Sequence, residues 1–162
     1  MRDDSTVNNA PVPHSKRLGR ELAMEFLFSC ELKQELPGAA AFELFMESVQ
    51  EEFQLMDNRI TRRAREYAVK LYEAVTLEKD KIDGIIAKYC RNWDMDRLSP
   101  VDRNILRVAV AEMTGFPDVP PVVSIDEAVE IARDFSGVEA GNFINGVLNA
   151  IKNCEFAAAD KK

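Results

Sequence analysis

The sequence predicts an all-α fold of about seven helices. Apolar residues recur at three- and four-residue steps in successive segments, which is the spacing of one buried helix face. Prolines and glycines separate these segments, and none shows the alternation of a half-buried strand. The most strand-like segment, residues 119–125, contains two prolines. A length of 162 residues suits one domain, or two small sub-bundles that share an interface.

The first half of the chain predicts four helices. The first begins near Lys16 and ends before Pro37 and Gly38, a helix-breaking pair. Asp57 or Asn58 is the expected N-cap of the third helix. The four apolar faces are, in chain order, Leu18, Leu22, Ala23, Phe26, Leu27 and Cys30; Phe42, Phe45, Met46, Val49 and Phe53; Ile60, Ala64, Tyr67, Ala68, Leu71, Tyr72 and Val75; and Ile82, Ile85, Ile86, Tyr89 and Trp93.

The fifth helix has the clearest start signal. Ser99 is placed to cap it, Pro100 suits the first helical position, and Asp102 favours the positive end of the helix dipole. The helix is expected to end near Gly115. Its apolar face is Val101, Ile105, Val108, Ala109 and Met113.

The last two helices are predicted with less definite boundaries. Residues 118–121 are expected to form a stiff, extended linker, because proline restricts its own backbone and that of the residue before it. Ser124 and Glu127 then have capping-box spacing, and Gly137 is the expected end of that helix. The last helix is predicted from about Asn142. The two apolar faces are Ile125, Ala128, Val129, Ala132 and Phe135, and Phe143, Val147, Leu148 and Ile151.

The ends of the chain differ from its middle. Residues 1–14 are polar and proline-containing, which predicts a disordered leader, and residues 157–162 are expected to fray. Residues 15–156 form one predicted all-helical domain. The N-terminus lacks the apolar stretch of a signal peptide, and no apolar run approaches the roughly 20 residues that span a bilayer. A cytoplasmic protein with no membrane contact is therefore expected.

Charge is unevenly distributed around a net value of −7. Residues 14–20 carry cationic side chains and no acid, residues 21–58 carry nine acids against one lysine, and residues 59–70 are again basic. Two basic patches on an acidic body are able to steer a polyanion to a defined place. The alternative from charge alone is that these patches are solvated helix ends.

Neither metal binding nor catalysis is indicated. Cys30, Cys90 and Cys154 lack the spacing of metal ligands or of a disulfide framework, so reduced core thiols are expected. His14 is the single histidine and has no neighbouring cysteine. No nucleophile elbow, phosphate loop or dinucleotide fingerprint is present. We expect no metal, no cofactor and no enzymatic activity.

Four segments resemble the NusB transcription-antitermination family. Residues 17–28 are similar to its R-x-A-R-E-x-A opening, and residues 102–113 to its LR-x-A-x-x-E-[LM] helix. Residues 118–132 resemble its DVP…EAVELA segment, and residues 143–148 its FVNGVLD helix. The matches are collinear and together span about residues 16–153.

The resemblance implies a fold and a set of partners. The fold is all-α, with two helical sub-bundles packed together. The function is binding of the single-stranded boxA element of ribosomal RNA leader transcripts, together with ribosomal protein S10 (NusE). Within the RNA polymerase antitermination complex, this pair supports processive transcription. The resemblance leaves open whether the protein is a monomer or a homodimer.

The resemblance also implies RNA-binding residues. Arg17 and Arg20 match the basic opening, and Lys16 extends its charge, so all three are expected to meet phosphates or splayed bases. Phe143 matches an aromatic position beside the last helix, where a stacking role and a core role are both open. Phe135 is expected in the core.

Other matched positions are expected to be structural. Arg107 and Glu112 are expected to pair with each other. Asn145 and Gly146 are expected to serve close helix packing and a side-chain hydrogen bond. The chain departs from the family at Gly19, where alanine is usual, and its basic opening is thinner.

Two other functions compete with this one. A domain of the same fold is attached to some ribosomal RNA cytosine methyltransferases, and such a chain is expected to continue into a nucleotide-cofactor domain. A purely protein-binding helical adaptor is the other alternative, in which the basic patches are incidental. Salt-dependent RNA binding separates the adaptor from an RNA-binding protein.

Overall fold

The structure is a computed structural model that describes residues 15–90, 95 and 98–156. Within these residues the chain forms seven helices and no strand, which confirms the predicted all-α class. The predicted leader, the predicted tail and Trp93 lie outside the described residues. The helices are α1 (Ser15–Lys33), α2 (Ala39–Phe53), α3 (Arg59–Leu77), α4 (Lys79–Tyr89), α5 (Pro100–Gly115), α6 (Pro121–Ser136) and α7 (Val138–Glu155).

An aromatic cluster holds α1, α2 and α3 together. Phe26 of α1 meets Phe42 of α2 edge to face, with ring centroids 5.1 Å apart, and Tyr72 of α3 at 4.8 Å. Phe45 of α2 lies 5.4 Å from Phe26. Edge-to-face packing suits aromatic quadrupoles. The cluster therefore fixes α2 to the α1–α3 pair.

Helices α1 and α3 approach each other closely at Gly19. A Cβ atom built on Gly19 would lie 2.9 Å from the carbonyl oxygen of Ala64 and 2.9 Å from the Cβ of Tyr67. Neither neighbour is the flexible end of a side chain. Helices α1 and α3 are thus too close at Gly19 to accommodate a Cβ atom without a shift.

Helix α5 is the centre of the molecule. Every residue from Asn104 to Met113 is buried, and α5 packs on α1, α3, α4, α6 and α7. The α6–α7 hairpin turns at Gly137, whose φ of 111° is favoured only by glycine. Its N–H donates to the carbonyl oxygens of Ala132 and Arg133. The buried apolar residues of all seven helices form one continuous core.

Two predicted helix caps are confirmed, and the predicted capping box is wrong. Asn58 accepts a hydrogen bond from the N–H of Thr61 at 2.9 Å, and Ser99 from that of Asp102 at 3.0 Å. Helix α6, however, begins at Pro121. A proline at the first helical position needs no N–H partner and is preset for the helix. Ser124 therefore lies inside α6 and is buried.

Several smaller predictions are corrected by the structure. The last helix starts at Val138, earlier than expected. Gly146 faces open space, so it does not serve close packing, and Asn145 is exposed. The predicted side-chain hydrogen bond is present: Asn149 donates to the side-chain oxygen of Asn145 at 2.9 Å. Phe135 is 43% exposed and is not a core residue. The other exceptions to predicted burial are Phe53, Ile60 and Cys154.

None of the helices in the described part of the chain has the length and apolar character needed to cross a membrane.

Candidate nucleic-acid interface

Lys16 lies in the first turn of α1 and is exposed. Its ammonium stands over the ring of Tyr67, 5.6 Å from the centroid, a cation–π contact that holds the side chain against α3. It forms no ion pair with any residue in the described ranges. Lys16 is therefore exposed without an ion pair in the described ranges, and its contact with RNA stays a prediction.

Arg17 faces a row of carboxylates on α6. Its guanidinium donates to Glu21 at 2.9 Å, to Glu130 at 3.0 Å and to Asp134 at 3.1 Å, and lies 3.7 Å from Glu127. The Arg17 side chain is only 16% exposed, while those of Glu130 and Asp134 are mostly exposed. An anionic ligand can reach Arg17 only by displacing these acids.

Arg20 departs from the expectation of a surface contact. It is 5% exposed, and its guanidinium forms a two-pronged pair with Glu112 of α5, both contacts being 2.9 Å. A third contact joins it to Glu127 at 3.2 Å. The expectation treated the cationic residues of α1 as one surface patch. Arg20 instead points into the protein, where its guanidinium donates to Glu112 and Glu127.

Glu112 gathers hydrogen bonds from three other helices. Besides Arg20 of α1, it accepts from the hydroxyl of Tyr67 on α3 and, at 2.7 Å, from that of Ser124 on α6. Burial, together with the hydrogen bond to Glu112, raises the pKa of Tyr67, which stays protonated. The Ser124 hydroxyl that was expected to cap α6 therefore has a long-range partner.

The predicted pair of Arg107 and Glu112 is wrong, although both residues are structural. Arg107 donates to Asp83 of α4 at 2.8 Å and to Glu31 of α1 at 3.1 Å. Arg103 also pairs with Glu31. These contacts tie α5 to α1 and α4, on a different part of α5 from Glu112.

Phe143 is half-buried and lines a groove of about 610 Å³ between α5, the α6–α7 turn and α7. It also packs against the core, so the two roles left open by the sequence are compatible. Asp102 of the groove has a buried Oδ1 that finds no hydrogen-bond partner among the described residues. The full lining is Leu98, Ser99, Asp102, Ser136, Glu139, Ala140 and Phe143.

The end of α6 connects the groove with the cationic helix. Asp134 binds Arg17, and Ser136, two residues later, lines the groove that holds Phe143. Arg17 and the groove of Phe143 are thus both linked to the C-terminal end of α6, while Lys16 lies against α3 and Arg20 is buried. Sequence reasoning missed Asp102 as a groove residue, because its position at the start of α5 already explained it. Asp102 does serve there, since its backbone N–H donates to the capping hydroxyl of Ser99.

The fold and this surface define a class of protein: small and all-α, with a cationic first helix docked on a central helix through a buried arginine–glutamate pair. The profile of the NusB family matches residues 17–153. The chain belongs to the NusB family.

Named relatives and solved structures agree with this assignment. The chain is 34% identical over 145 residues to the transcription antitermination protein NusB of Acetivibrio thermocellus, covering 90% of this chain and 93% of that one. It is 39% identical to that of Desulfotalea psychrophila, covering 85% and 94%.

Two solved structures are similar over most of their length. Thermotoga maritima NusB superposes with a TM-score of 0.71 at 31% identity, covering 86% of this chain and 91% of that one. A crystal structure of the antitermination factors NusB and NusE in complex with double-stranded RNA gives a TM-score of 0.69 at 33% identity, covering 85% and 95%.

Proposed function

We propose that this protein is a transcription antitermination factor that binds boxA-type leader RNA together with ribosomal protein S10 (NusE). Bound in this way, it supports processive ribosomal RNA transcription within the RNA polymerase antitermination complex. The observation that carries the proposal is the exposed, cationic first turn of α1, at Lys16, in a chain of the NusB family. Phosphates dominate the affinity of proteins for nucleic acids, and exposed cations are what meets them.

The four predicted RNA residues take different roles in the proposal. Lys16 contacts a phosphate directly, and Arg17 does so after exchanging a carboxylate of α6 for the ligand. Arg20 acts through position, since its pair with Glu112 sets where α1 lies on the core. Phe143 offers its exposed edge to a base that enters the groove.

Asp102 is added to this set by the structure. Asp102 lines the same groove as Phe143, and its Oδ1, buried in this structure, has no hydrogen-bond partner among the described residues. Base amino and ribose hydroxyl groups are donors that such an acceptor satisfies. A single-stranded RNA whose base leaves the stack to enter the groove meets an aromatic ring and a carboxylate together.

No catalytic step is assigned to the protein. We infer a binding role in the cytoplasm, where transcription and its RNA product are found, with no cofactor.

The proposal is tested by titrating a labelled single-stranded boxA-type RNA with the full chain and S10, at several salt concentrations. Lys16→Gln combined with Arg17→Gln is expected to lower the steepness of log affinity against log salt by about 1.4, at about 0.7 per lost contact. Arg20 is left intact, because replacing a buried ion-pair partner would unfold the site it supports.

The matched control is Lys33→Gln with Lys152→Gln, which removes two positive charges far from the first turn of α1. It is expected to bind like the parent chain. Absence of RNA binding by the parent with S10 present would remove the proposal.

A further inference from the structure

The cationic side chains of α3 divide into two groups. Arg62 pairs with Asp57 at 3.0 Å, and Arg65 pairs with Glu43 of α2. Arg59, Arg63 and Lys70 are exposed and form no ion pair or hydrogen bond with any residue in the described ranges. None of these three cations therefore contributes an ion pair with a described residue to folding stability.

The unpaired group lies along one side of α3. Arg59 and Arg63 are one helical turn apart, and Lys70 follows two turns later, so the row is about 16 Å long at 1.5 Å per residue. Residues three and four apart on a helix are surface neighbours. Arg63 and Lys70, four residues before and three residues after Tyr67, therefore flank that tyrosine.

Tyr67 joins this row to α1. The Lys16 ammonium stands over the Tyr67 ring, and Gly19 lets α1 approach α3 at the same tyrosine. Lys16 therefore continues the row of α3 cations on the other side of the ring. Glu66 lies in the same row, three residues after Arg63 and four before Lys70, and Glu73 follows three residues after Lys70. Neither acid forms an ion pair with a described residue.

Arg17 offers a contrast on the opposite side of α1. Its guanidinium is enclosed by carboxylates of α1 and α6. By contrast, Lys16 and the three unpaired cations of α3 form no ion pair with a described residue.

We propose that Lys16, Arg59, Arg63 and Lys70 form a track that holds the ribose–phosphate backbone of the bound RNA along α3. The proposal rests on the RNA-binding function proposed above and assigns the RNA a path. The strand leaves the first turn of α1 and follows α3, with its phosphates on the unpaired cations. The contacts are to the backbone, so the track adds affinity without reading sequence.

The test is a salt titration of RNA binding by the full chain with S10, comparing the parent with Arg63→Gln combined with Lys70→Gln. Both side chains are exposed and unpaired, so thermal melts are expected to match the parent. Losing two phosphate contacts should lower the salt slope by about 1.4 and weaken binding roughly twentyfold at about 0.1 M salt. The control pair Lys33→Gln with Lys152→Gln makes the same change in net charge elsewhere.

The possible results separate the two proposals. A parent chain that binds RNA with an unchanged slope in the Arg63 and Lys70 variant overturns the track but leaves the RNA-binding function standing. An equal loss in the control variant also overturns the track, because net charge alone then explains it. Weaker binding to S10 without RNA, with RNA affinity unchanged, would assign the row to an acidic protein surface instead. A parent that binds no RNA removes both proposals.

Discussion

Glu25 is a half-buried carboxylate on α1 that lies near two other acids. Burial, and then repulsion from Glu21 and Glu52, raises the pKa of Glu25 to about 7. The native protein therefore holds a proton at this site at pH values where the unfolded chain has released it. A raised pKa in the folded state means that the stability associated with Glu25 is complete below about pH 4.5 and is lost as the pH rises through about 7.

Replacing Glu25 by glutamine should remove the free-energy cost of ionising this half-buried carboxylate in the folded protein. At pH 8 the Glu25→Gln variant is expected to be more stable than the parent by about 1–2 kcal/mol, after discounting for solvent screening of a partly exposed group. At pH 4.5 the two should be nearly equal. Urea unfolding at both pH values measures the difference. Glu47→Gln, which removes an exposed acid of α2, serves as the control, and a gain that is the same at both pH values would show that ionisation of Glu25 is not the cause.

Single residues show where sequence reasoning stops. The charge of Arg20 is evident from the sequence, but its burial depends on Glu112 and Glu127, which lie 92 and 107 residues away. The same limit applies to Ser124, whose spacing to Glu127 fits a cap. Local spacing describes what a side chain offers to its neighbours along the chain, and tertiary packing decides which partner it takes.

At the scale of the helices, the contact between α1 and α3 depends on the missing side chain of Gly19. Gly19→Ala is expected to destabilise the protein by about 1–2 kcal/mol. Forcing a methyl group against rigid backbone costs about 1–3 kcal/mol, and this exceeds the gain of up to about 1 kcal/mol in helix propensity. Chemical denaturation of the variant measures the net effect.

Gly84 of α4 is the matched control for that substitution. A Cβ on Gly84 meets nothing within 4 Å, so Gly84→Ala is expected to stabilise the protein by up to about 1 kcal/mol. If both alanine variants were stabilised alike, α1 and α3 would have to separate without cost, and the close approach would not constrain the fold.

The helices themselves were the most predictable part of the structure. Most predicted boundaries rest on apolar periodicity or on a local breaker such as Gly115, and these signals act within a few residues. The exceptions are the start of the last helix, which lies at Val138 rather than near Asn142, and the region around Pro121. There the proline both begins α6 and discourages helix in the residue before it, and the sequence does not say which effect dominates.

At the scale of the whole molecule, acids of α6 are expected to compete with RNA for the guanidinium of Arg17 on α1. Glu130→Gln combined with Asp134→Asn should leave only Glu21 and Glu127 beside the Arg17 guanidinium and make it more accessible to RNA. One additional contact would raise affinity roughly fivefold at about 0.1 M salt and steepen the salt slope by about 0.7. The measurement is the same titration with S10. Glu47→Gln with Glu51→Gln removes two exposed acids of α2, and an equal gain there would show an effect of net charge alone.

The convergence of side chains on Glu112 has a consequence for synthesis of the chain. The ribosome releases α1 first, yet Arg20 finds its partner only when α5 appears, and the hydroxyl of Ser124 arrives later still with α6. Before α5 and α6 have been synthesised, the carboxylates that pair with Arg20 in the folded protein are absent from the nascent chain. Individual helices can form early because their contacts are local. The closed native arrangement must wait until the last third of the polypeptide has emerged.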